Sequence, residues 1–376
     1  MEILMATCLL ALFHGFYCLY NLLLRRRDQS CYLLAYECHM PPDDMKLSTD
    51  SCVKIVLRNR NLGLDEFRNI IKGREENATL EDEHAEVDGI IFDTLDKLFT
   101  RATSISPSQI DILVVNVSMF SPAPSLSSRI VNCYKMRGNI NSFNLSGMGC
   151  SATLIAVDVV QNLFKSHKNA NAIIVSTESL APHWYCGIEK SMMLKNCLFR
   201  SGGCAMLFTN NQDLKHQAKL KLNHLVDDES GHRGFRLTKY LLKAATQGFT
   251  MTSTKSQKPK VKKLSDYDVE PSRTALHRFG NTSAAGFWYA LGDMEAKKRL
   301  KKGNRILMSG FGAGFKCNNI VWEVMKDLDD VNVWKDCIDS YPTDQTLVNP
   351  FMEKYGWIND DYLGFVKFDF SLLAVN

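Results

Sequence analysis

The chain has 376 residues, of which 45% are hydrophobic and 23% are charged. This composition is typical of globular proteins and excludes a disordered or collagen-like chain. The formal net charge is only +4, which argues against a nucleic acid as the partner. The twelve cysteines include no C-x-x-C pair, so neither a zinc ribbon nor a disulfide scaffold is indicated and we expect no metal site.

The N-terminal segment has the pattern of a membrane anchor. Residues 3–24 contain no Asp, Glu, Lys or Arg, and three arginines follow at 25–27. A helix of this length spans about 33 Å, enough for a bilayer core of about 30 Å. A cleaved signal peptide fits poorly, because its basic residues precede a shorter apolar core. We therefore predict a transmembrane helix in residues 1–27 with the rest of the chain in the cytosol; a buried core helix is the alternative.

Helical and strand patterns alternate in residues 28–254, the predicted N-terminal lobe. Helical spacing of apolar residues predicts helices over 87–99 and 152–164. Short β-branched runs predict strands over 111–117, 172–176 and 205–209. This alternation predicts an α/β fold in which largely parallel strands are covered by helices on both faces.

The later part of the chain divides into three segments. Residues 255–268 are rich in lysine and are predicted to form a linker. Residues 269–342 form a predicted C-terminal lobe, with a helix over 282–299 and a strand over 305–309. Residues 343–376 are patchy in composition and receive no assignment.

A candidate nucleophile lies directly before the helix at 152–164. The segment reads Asn144-Leu-Ser-Gly-Met-Gly-Cys150-Ser-Ala, and its glycines permit a sharp turn from strand to helix. A thiol at a helix N-terminus faces the positive end of the dipole, so we expect a lowered pKa for Cys150 and a reactive thiolate. The alternative is that Cys150 is a small buried hydrophobic residue.

The same segment resembles the active-site segment of the plant 3-ketoacyl-CoA synthases, condensing enzymes of very-long-chain fatty acid elongation in the thiolase-like superfamily. The resemblance extends from about residue 31 to 342 and includes the blocks ILVVNVSMFSPAPSLSSRIVNCYKMRGNI, ESLAPHWYCG, NCLFRSGG, EPSRTALHRFGNTSAAGFWYAL and GFGAGFKCNN, in family order. It implies a layered α-β-α-β-α fold of two similar βαβ-type lobes, in addition to the N-terminal transmembrane helix.

The resemblance also implies site residues. A decarboxylating Claisen condensation needs a thiolate to hold the acyl chain and hydrogen-bond donors to stabilise the enolate formed from malonyl-CoA. In the family these groups are a cysteine, a histidine and an asparagine, and Cys150 and Asn281 match two of them. His277 matches a further histidine that the family associates with activity. From local sequence alone, Asn281 is better explained as a helix N-cap and His277 as a structural residue.

One family motif is missing. The principal catalytic histidine of the family lies in a His-Ala-Gly-Gly-Arg motif before the Glu-Pro-Ser-Arg block, and this chain has only a short lysine-rich stretch there. A second contraction follows His224, and His232 matches no family histidine.

The leading hypothesis is a 3-ketoacyl-CoA synthase-like acyltransferase. The alternatives are a catalytically impaired homologue that acts as an elongase partner, an incomplete gene model, and a soluble polyketide-synthase-like enzyme.

Two weaker signals favour ordinary explanations. Residues 310–315 (GFGAGF) lack the third glycine of a dinucleotide fingerprint, so nucleotide binding is not indicated. A basic cluster at Lys297, Lys298, Arg299, Lys301 and Lys302 could meet phosphates of coenzyme A or an anionic membrane surface, but a solvated helix end is the simpler interpretation.

The cellular setting is likewise implied by the resemblance. It predicts the endoplasmic reticulum membrane, with the catalytic domain facing the cytosol. The expected substrates are a long-chain acyl-CoA and malonyl-CoA, without a resident cofactor. The expected partners are other elongase components and a second copy of the chain, and no nucleic acid.

Overall fold

The computed structural model describes residues 30–42, 78–102, 104–185, 196, 198–229, 266–312 and 316–341. The predicted anchor (1–27), the tail (343–376) and all but the last three residues of the predicted linker lie outside these ranges. Among the described helices, none combines the length and the hydropathy needed to cross a bilayer.

The described residues form eight strands and five α-helices. The strands are β1 (Tyr32–Cys38), β2 (Ile112–Asn116), β3 (Asn141–Leu145), β4 (Asn171–Thr177), β5 (Gly203–Thr209), β6 (Leu220–Glu229), β7 (Arg305–Gly312) and β8 (Lys316–Val324). The helices are α1 (Leu80–Arg101), α2 (Leu126–Cys133), α3 (Ala152–Phe164), α4 (Asp266–Phe279) and α5 (Gly286–Ala296).

Local sequence explains the start of α1 and the buried face of α3. At the start of α1, the Thr79 hydroxyl accepts a hydrogen bond from the Asp82 N–H at 3.2 Å, and the Asp82 carboxylate accepts one from the Thr79 N–H at 3.0 Å. This reciprocal capping box satisfies two N–H groups that a helix start leaves without partners. Helix α3 occupies the predicted residues, and its spaced apolar residues Ala152, Ala156 and Val160 are buried.

The strands form one sheet in the order β3-β2-β4-β5-β1-β6-β8-β7. Strand β2 is parallel to β3 and β4, and the other pairs are antiparallel. The prediction of a largely parallel sheet is therefore wrong. Parallel neighbours need a crossover of a dozen or more residues, which α2 and α3 provide between β2 and β4, whereas only three residues separate β7 from β8.

Helices cover the first half of the sheet on both faces, which confirms the α/β class. Residues alternate along β2: Leu113 and Val115 pack with α1 and α2, while Ile112 and Val114 pack with α3 and α5. Full burial of each such side chain stabilises the fold by about 1.5–3 kcal/mol.

The second half of the sheet packs on the same helices as the first half. Helices α3 and α5 share one hydrophobic core with β2, β4, β7 and β8. The five-layer arrangement stays a prediction. Strand β6 pairs with both β1 and β8, so the predicted lobes are joined in one sheet; the lobe boundaries at 254 and 269 stay a prediction.

Candidate active site

The turn between β3 and α3 carries Cys150. Gly147 and Gly149 have φ angles of +68° and +73°, in the left-handed region that residues with a Cβ disfavour. Cys150 follows them, half-buried, two residues before the start of α3. The sharp connection from strand to helix that the sequence predicts is present.

Ser118 fixes this turn from the end of the neighbouring strand β2. Its carbonyl oxygen accepts a hydrogen bond from the Gly147 N–H, and its hydroxyl accepts one from the Gly149 N–H, both at 2.9 Å. Because β2 and β3 are parallel, the segments that follow them meet at the same edge of the sheet. Ser118 therefore holds the two glycines immediately before the nucleophile.

Glu178 in turn fixes the Ser118 segment. It follows β4, is only 3% exposed, and accepts hydrogen bonds from the backbone N–H groups of Ser118 at 3.2 Å and Met119 at 2.9 Å. Burial raises the pKa of the Glu178 carboxyl, and the hydrogen bonds from these N–H groups oppose the rise. The segments that follow β2 and β4 are thus linked to the Cys150 turn, which follows β3.

The end of β7 closes the turn from the opposite side. A Cβ at Gly312 would lie 2.5 Å from the Ser151 hydroxyl oxygen and 3.1 Å from the Met148 carbonyl oxygen. Any larger residue at Gly312 would have to displace the nucleophile turn. The start of the glycine-rich GFGAGF segment therefore packs against the nucleophile turn.

Asn281 lies at the end of α4, on a segment held by main-chain bonds. Gly280 ends the helix at a φ of +70°, with its N–H donating to the Leu276 carbonyl oxygen at 2.9 Å. The Asn281 N–H donates to the Leu198 carbonyl oxygen at 2.8 Å. The Asn281 Oδ1 accepts from the Ser283 N–H at 2.9 Å, which is the capping use that local sequence suggests. Its Nδ2 has no acceptor among the described residues and is available as a donor.

Ser283 connects the Asn281 segment to the nucleophile. Its hydroxyl donates a hydrogen bond to the Cys150 sulfur, with 3.7 Å between Oγ and Sγ. The side chain is buried, in a short 3₁₀ helix (Ser283–Ala285) between α4 and α5. The structure thus brings Cys150 and the Asn281 segment into one site.

His277 lies in different surroundings. It is exposed in the last turn of α4, and its Nδ1 is 2.8 Å from the Tyr341 hydroxyl oxygen, with the two rings edge to face. In the described part of the chain, no contact joins His277 to Cys150 or Asn281. Its catalytic role stays a prediction from the resemblance.

The pKa of Cys150 shifts in the direction opposite to the prediction. Burial of the sulfur raises the pKa, the hydrogen bond from Ser283 lowers it, and the negative charge of Glu178 raises it further. The prediction of a lowered pKa is wrong, because the loss of water around the thiolate outweighs the donors at the turn. The raised pKa disfavours the thiolate relative to the neutral thiol.

Much of the basic cluster is neutralised by local carboxylates. Lys297 lies 2.6 Å from a Glu270 carboxylate oxygen and 2.9 Å from an Asp293 oxygen. Arg299 lies 2.8 Å from Glu270 and stacks on the Tyr267 ring at 3.6 Å. These pairs tie α4 to α5, so the cluster gives little support to a phosphate or membrane site.

Local motifs do not assign Ser118, Glu178 or Ser283 to the site. A signal for two of them exists, since Ser118 and Glu178 each closely follow a predicted buried strand, and the carboxyl ends of neighbouring parallel strands meet at one edge. Ser283 carries no such signal, because its contact with Cys150 joins residues 133 positions apart.

Two family models match the chain. The model for the FAE1/type III polyketide synthase-like proteins matches residues 68–266. The model for the C-terminal part of 3-oxoacyl-[acyl-carrier-protein] synthase III matches residues 260–324. The first match contains Cys150, and the second contains His277 and Asn281.

Two curated relatives come from Arabidopsis thaliana. The 3-ketoacyl-CoA synthase 19 is 46% identical over 92% of this chain and 94% of its own length. The 3-ketoacyl-CoA synthase 12 is 40% identical over 96% of this chain and 98% of its own length. The alignment with the first spans 438 positions, more than the 376 residues of this chain, so that relative has residues that this chain lacks. This agrees with the contractions noted in the sequence.

Solved structures support the fold. The 1,3,6,8-tetrahydroxynaphthalene synthase of Streptomyces coelicolor, a bacterial type III polyketide synthase, superposes with a TM-score of 0.65 over 78% of this chain and 99% of its own. A fungal type III polyketide synthase gives 0.60 over 78% of this chain and 99% of its own. Both are 15% identical to this chain, so the likeness concerns the fold alone.

Proposed function

The chain belongs to the 3-ketoacyl-CoA synthase family, and we propose that it condenses a long-chain acyl-CoA with malonyl-CoA through an acyl thioester on Cys150. It is accordingly a condensing acyltransferase of very-long-chain fatty acid elongation. The observation that carries the proposed site is the convergence of Cys150 and the Asn281 segment, which Ser283 joins by its hydrogen bond to the sulfur.

The steps follow from the chemistry of these groups. The Cys150 thiolate attacks the acyl-CoA carbonyl carbon, a new C–S bond forms, and coenzyme A leaves as a thiolate that takes a proton from solvent. Malonyl-CoA then loses carbon dioxide, and the Asn281 Nδ2 donates a hydrogen bond to the enolate oxygen. The enolate carbon attacks the acyl thioester, which releases 3-ketoacyl-CoA and restores the Cys150 thiolate.

The test separates capture from condensation. The purified full-length chain is incubated with a labelled long-chain acyl-CoA, and the Cys150 peptide is examined by mass spectrometry for an acyl adduct. Malonyl-CoA is then added and 3-ketoacyl-CoA is measured. Cys133→Ser is the matched control, because Cys133 is a free and exposed thiol outside the site. Folded protein that forms no adduct on Cys150 would defeat the proposal.

A second candidate function is a non-catalytic partner in elongase assemblies. It is favoured by the missing His-Ala-Gly-Gly-Arg motif and by the absence of any contact between a described histidine and Cys150. An adduct without 3-ketoacyl-CoA would support capture without condensation, and the absence of both would support the partner role. Resequencing the transcript across residues 247–268 tests the remaining possibility that an insert is missing.

We further propose the setting that the sequence suggests. The uncharged run at 3–24 and the arginines at 25–27 support an anchor in the endoplasmic reticulum membrane, with the catalytic domain in the cytosol. Other elongase components, and a second copy of the chain, are the proposed partners. Acyl-CoA and malonyl-CoA are substrates, and no resident cofactor is proposed. Extraction of membranes with alkaline carbonate tests the anchor, since an integral protein stays in the pellet.

A further inference from the structure

The Cys150 sulfur has one side-chain hydrogen-bond donor among the described residues, the hydroxyl of Ser283. The two atoms are 3.7 Å apart, within reach of a hydrogen bond to sulfur. The adjacent hydroxyl of Ser151 is also buried, but it has no partner in the part of the chain that the structure describes. Ser283, and not the sequence neighbour Ser151, therefore donates a hydrogen bond to the sulfur.

Ser283 has a backbone conformation that is unfavourable for a residue with a side chain. Its φ angle is +54°, in the left-handed region where a residue with a Cβ is disfavoured by about 1–2 kcal/mol. The Asn281 Oδ1 stabilises this arrangement by accepting from the Ser283 N–H. Strain at a non-glycine residue that touches a reactive atom favours a functional explanation.

The surroundings of the sulfur make such a donor important. Burial raises the pKa of Cys150, and the hydrogen bond from Ser283 is the largest effect that opposes the rise. A donor to the thiolate stabilises the charged form and leaves the neutral thiol less affected.

We propose that Ser283 is a catalytic residue whose hydroxyl donates a hydrogen bond to the Cys150 thiolate and so sets the reactivity of the nucleophile. The hydroxyl keeps its proton throughout: the thiol proton passes to solvent, and the serine hydrogen bond persists until the sulfur attacks. The role of this hydrogen bond in acyl capture rests on the proposed function, whereas its effect on the thiol does not.

The test therefore measures the thiol without any substrate. Iodoacetamide alkylation of Cys150 is followed by mass spectrometry from about pH 6 to about pH 10, in the full-length chain and in Ser283→Ala. Loss of this donor, at the strength of an ordinary hydrogen bond, should slow alkylation at neutral pH about three- to tenfold and move the profile to higher pH. Ser151→Ala is the matched control, since it removes an adjacent hydroxyl that bonds to nothing described, and its profile should match that of the wild type.

Ser283→Gly separates the hydrogen bond from the fold. Glycine accepts a positive φ, so this variant should melt at a higher temperature than Ser283→Ala and still show the same slow alkylation. A profile for either folded variant that superimposes on the wild type would overturn the proposal. If the profile shifts as expected while the wild type forms no acyl adduct, the proposal stands and the condensing function fails.

Discussion

The turn that carries Cys150 and the end of helix α4 that carries His277 are both matched by family motifs. They differ in how many contacts fix them. The Cys150 turn is fixed by Ser118 from one side and packed by Gly312 from the other. His277 is exposed and contacts Tyr341 near the end of the described chain. A matching motif thus identifies a candidate residue, whereas the surrounding contacts show whether its side chain is fixed in the active site.

The same contrast holds between two neighbouring residues at the end of α4. Asn281 lies only four residues after His277, but Gly280 redirects the chain so that the Asn281 segment bonds to Leu198 and, through Ser283, to the nucleophile. Among the described residues, the contacts that lead to the nucleophile therefore begin beyond the helix end, and we propose this point as the boundary between the catalytic and the structural part of the motif. Variants on both sides of Gly280 test where that boundary falls.

Replacement of the nucleophile gives the largest expected effect. Cys150→Ser should abolish the acyl adduct and reduce 3-ketoacyl-CoA formation to background, because a serine hydroxyl is far less acidic than a thiol and no described base contacts it. The check is mass spectrometry of the adduct with product analysis on the same sample. Product formation near the wild-type rate would show that the acyl group is carried elsewhere.

Asn281→Asp should have the next largest effect, a loss of about 10²–10³ in turnover. The substitution removes the Nδ2 donor and keeps an oxygen that can accept from the Ser283 N–H, so the melting temperature should be nearly unchanged. The measurement is the rate of 3-ketoacyl-CoA formation at saturating malonyl-CoA.

Asn281→Ala provides the comparison for that result. It removes both the donor and the capping oxygen, so it should lose turnover and also destabilise the fold by about 0.5–2 kcal/mol. Equal turnover in Asn281→Asp and wild type would exclude the Nδ2 donor from the enolate site.

Glu178→Gln should increase the reactivity of the Cys150 thiol, whereas Ser283→Ala should reduce it. The Glu178 charge raises the pKa of Cys150, so removal of the charge lowers that pKa and should speed alkylation at neutral pH about two- to threefold. The amide also offers one acceptor fewer to the N–H groups of Ser118 and Met119, which costs about 1–3 kcal/mol of stability. Alkylation profiles and thermal melts measure the two effects.

Glu86→Gln is the control for this prediction. Glu86 also accepts a hydrogen bond from a backbone N–H, that of Leu180 at 3.1 Å, but it is not among the groups that shift the Cys150 pKa. It should therefore reproduce a loss of stability without faster alkylation. Slower alkylation in Glu178→Gln would show that the carboxylate acts mainly by holding the turn.

The sequence predicts those features of the site that depend on neighbouring residues. The glycines before Cys150, the start of α3 and the cap at Asn281 all follow from local rules. The antiparallel pairing is not predicted, because β1 lies between β5 and β6 in the sheet although it is distant from both in the sequence. The sign of the Cys150 pKa shift was missed for a related reason, since burial depends on segments that only the folded chain brings together.

His277 gives the smallest expected effect and the sharpest test of the comparison. His277→Ala should change turnover less than about threefold, because its described contacts are a hydrogen bond and an edge-to-face ring contact with Tyr341. Loss of the hydrogen bond costs about 0.5–1.5 kcal/mol. Tyr341→Phe removes the same bond from the other side and should match it in both turnover and melting temperature. A loss of a hundredfold in His277→Ala alone would show that the histidine reaches the substrate during the reaction. The catalytic boundary would then lie within α4 rather than at Gly280, and the exposed end of the helix would belong to the site.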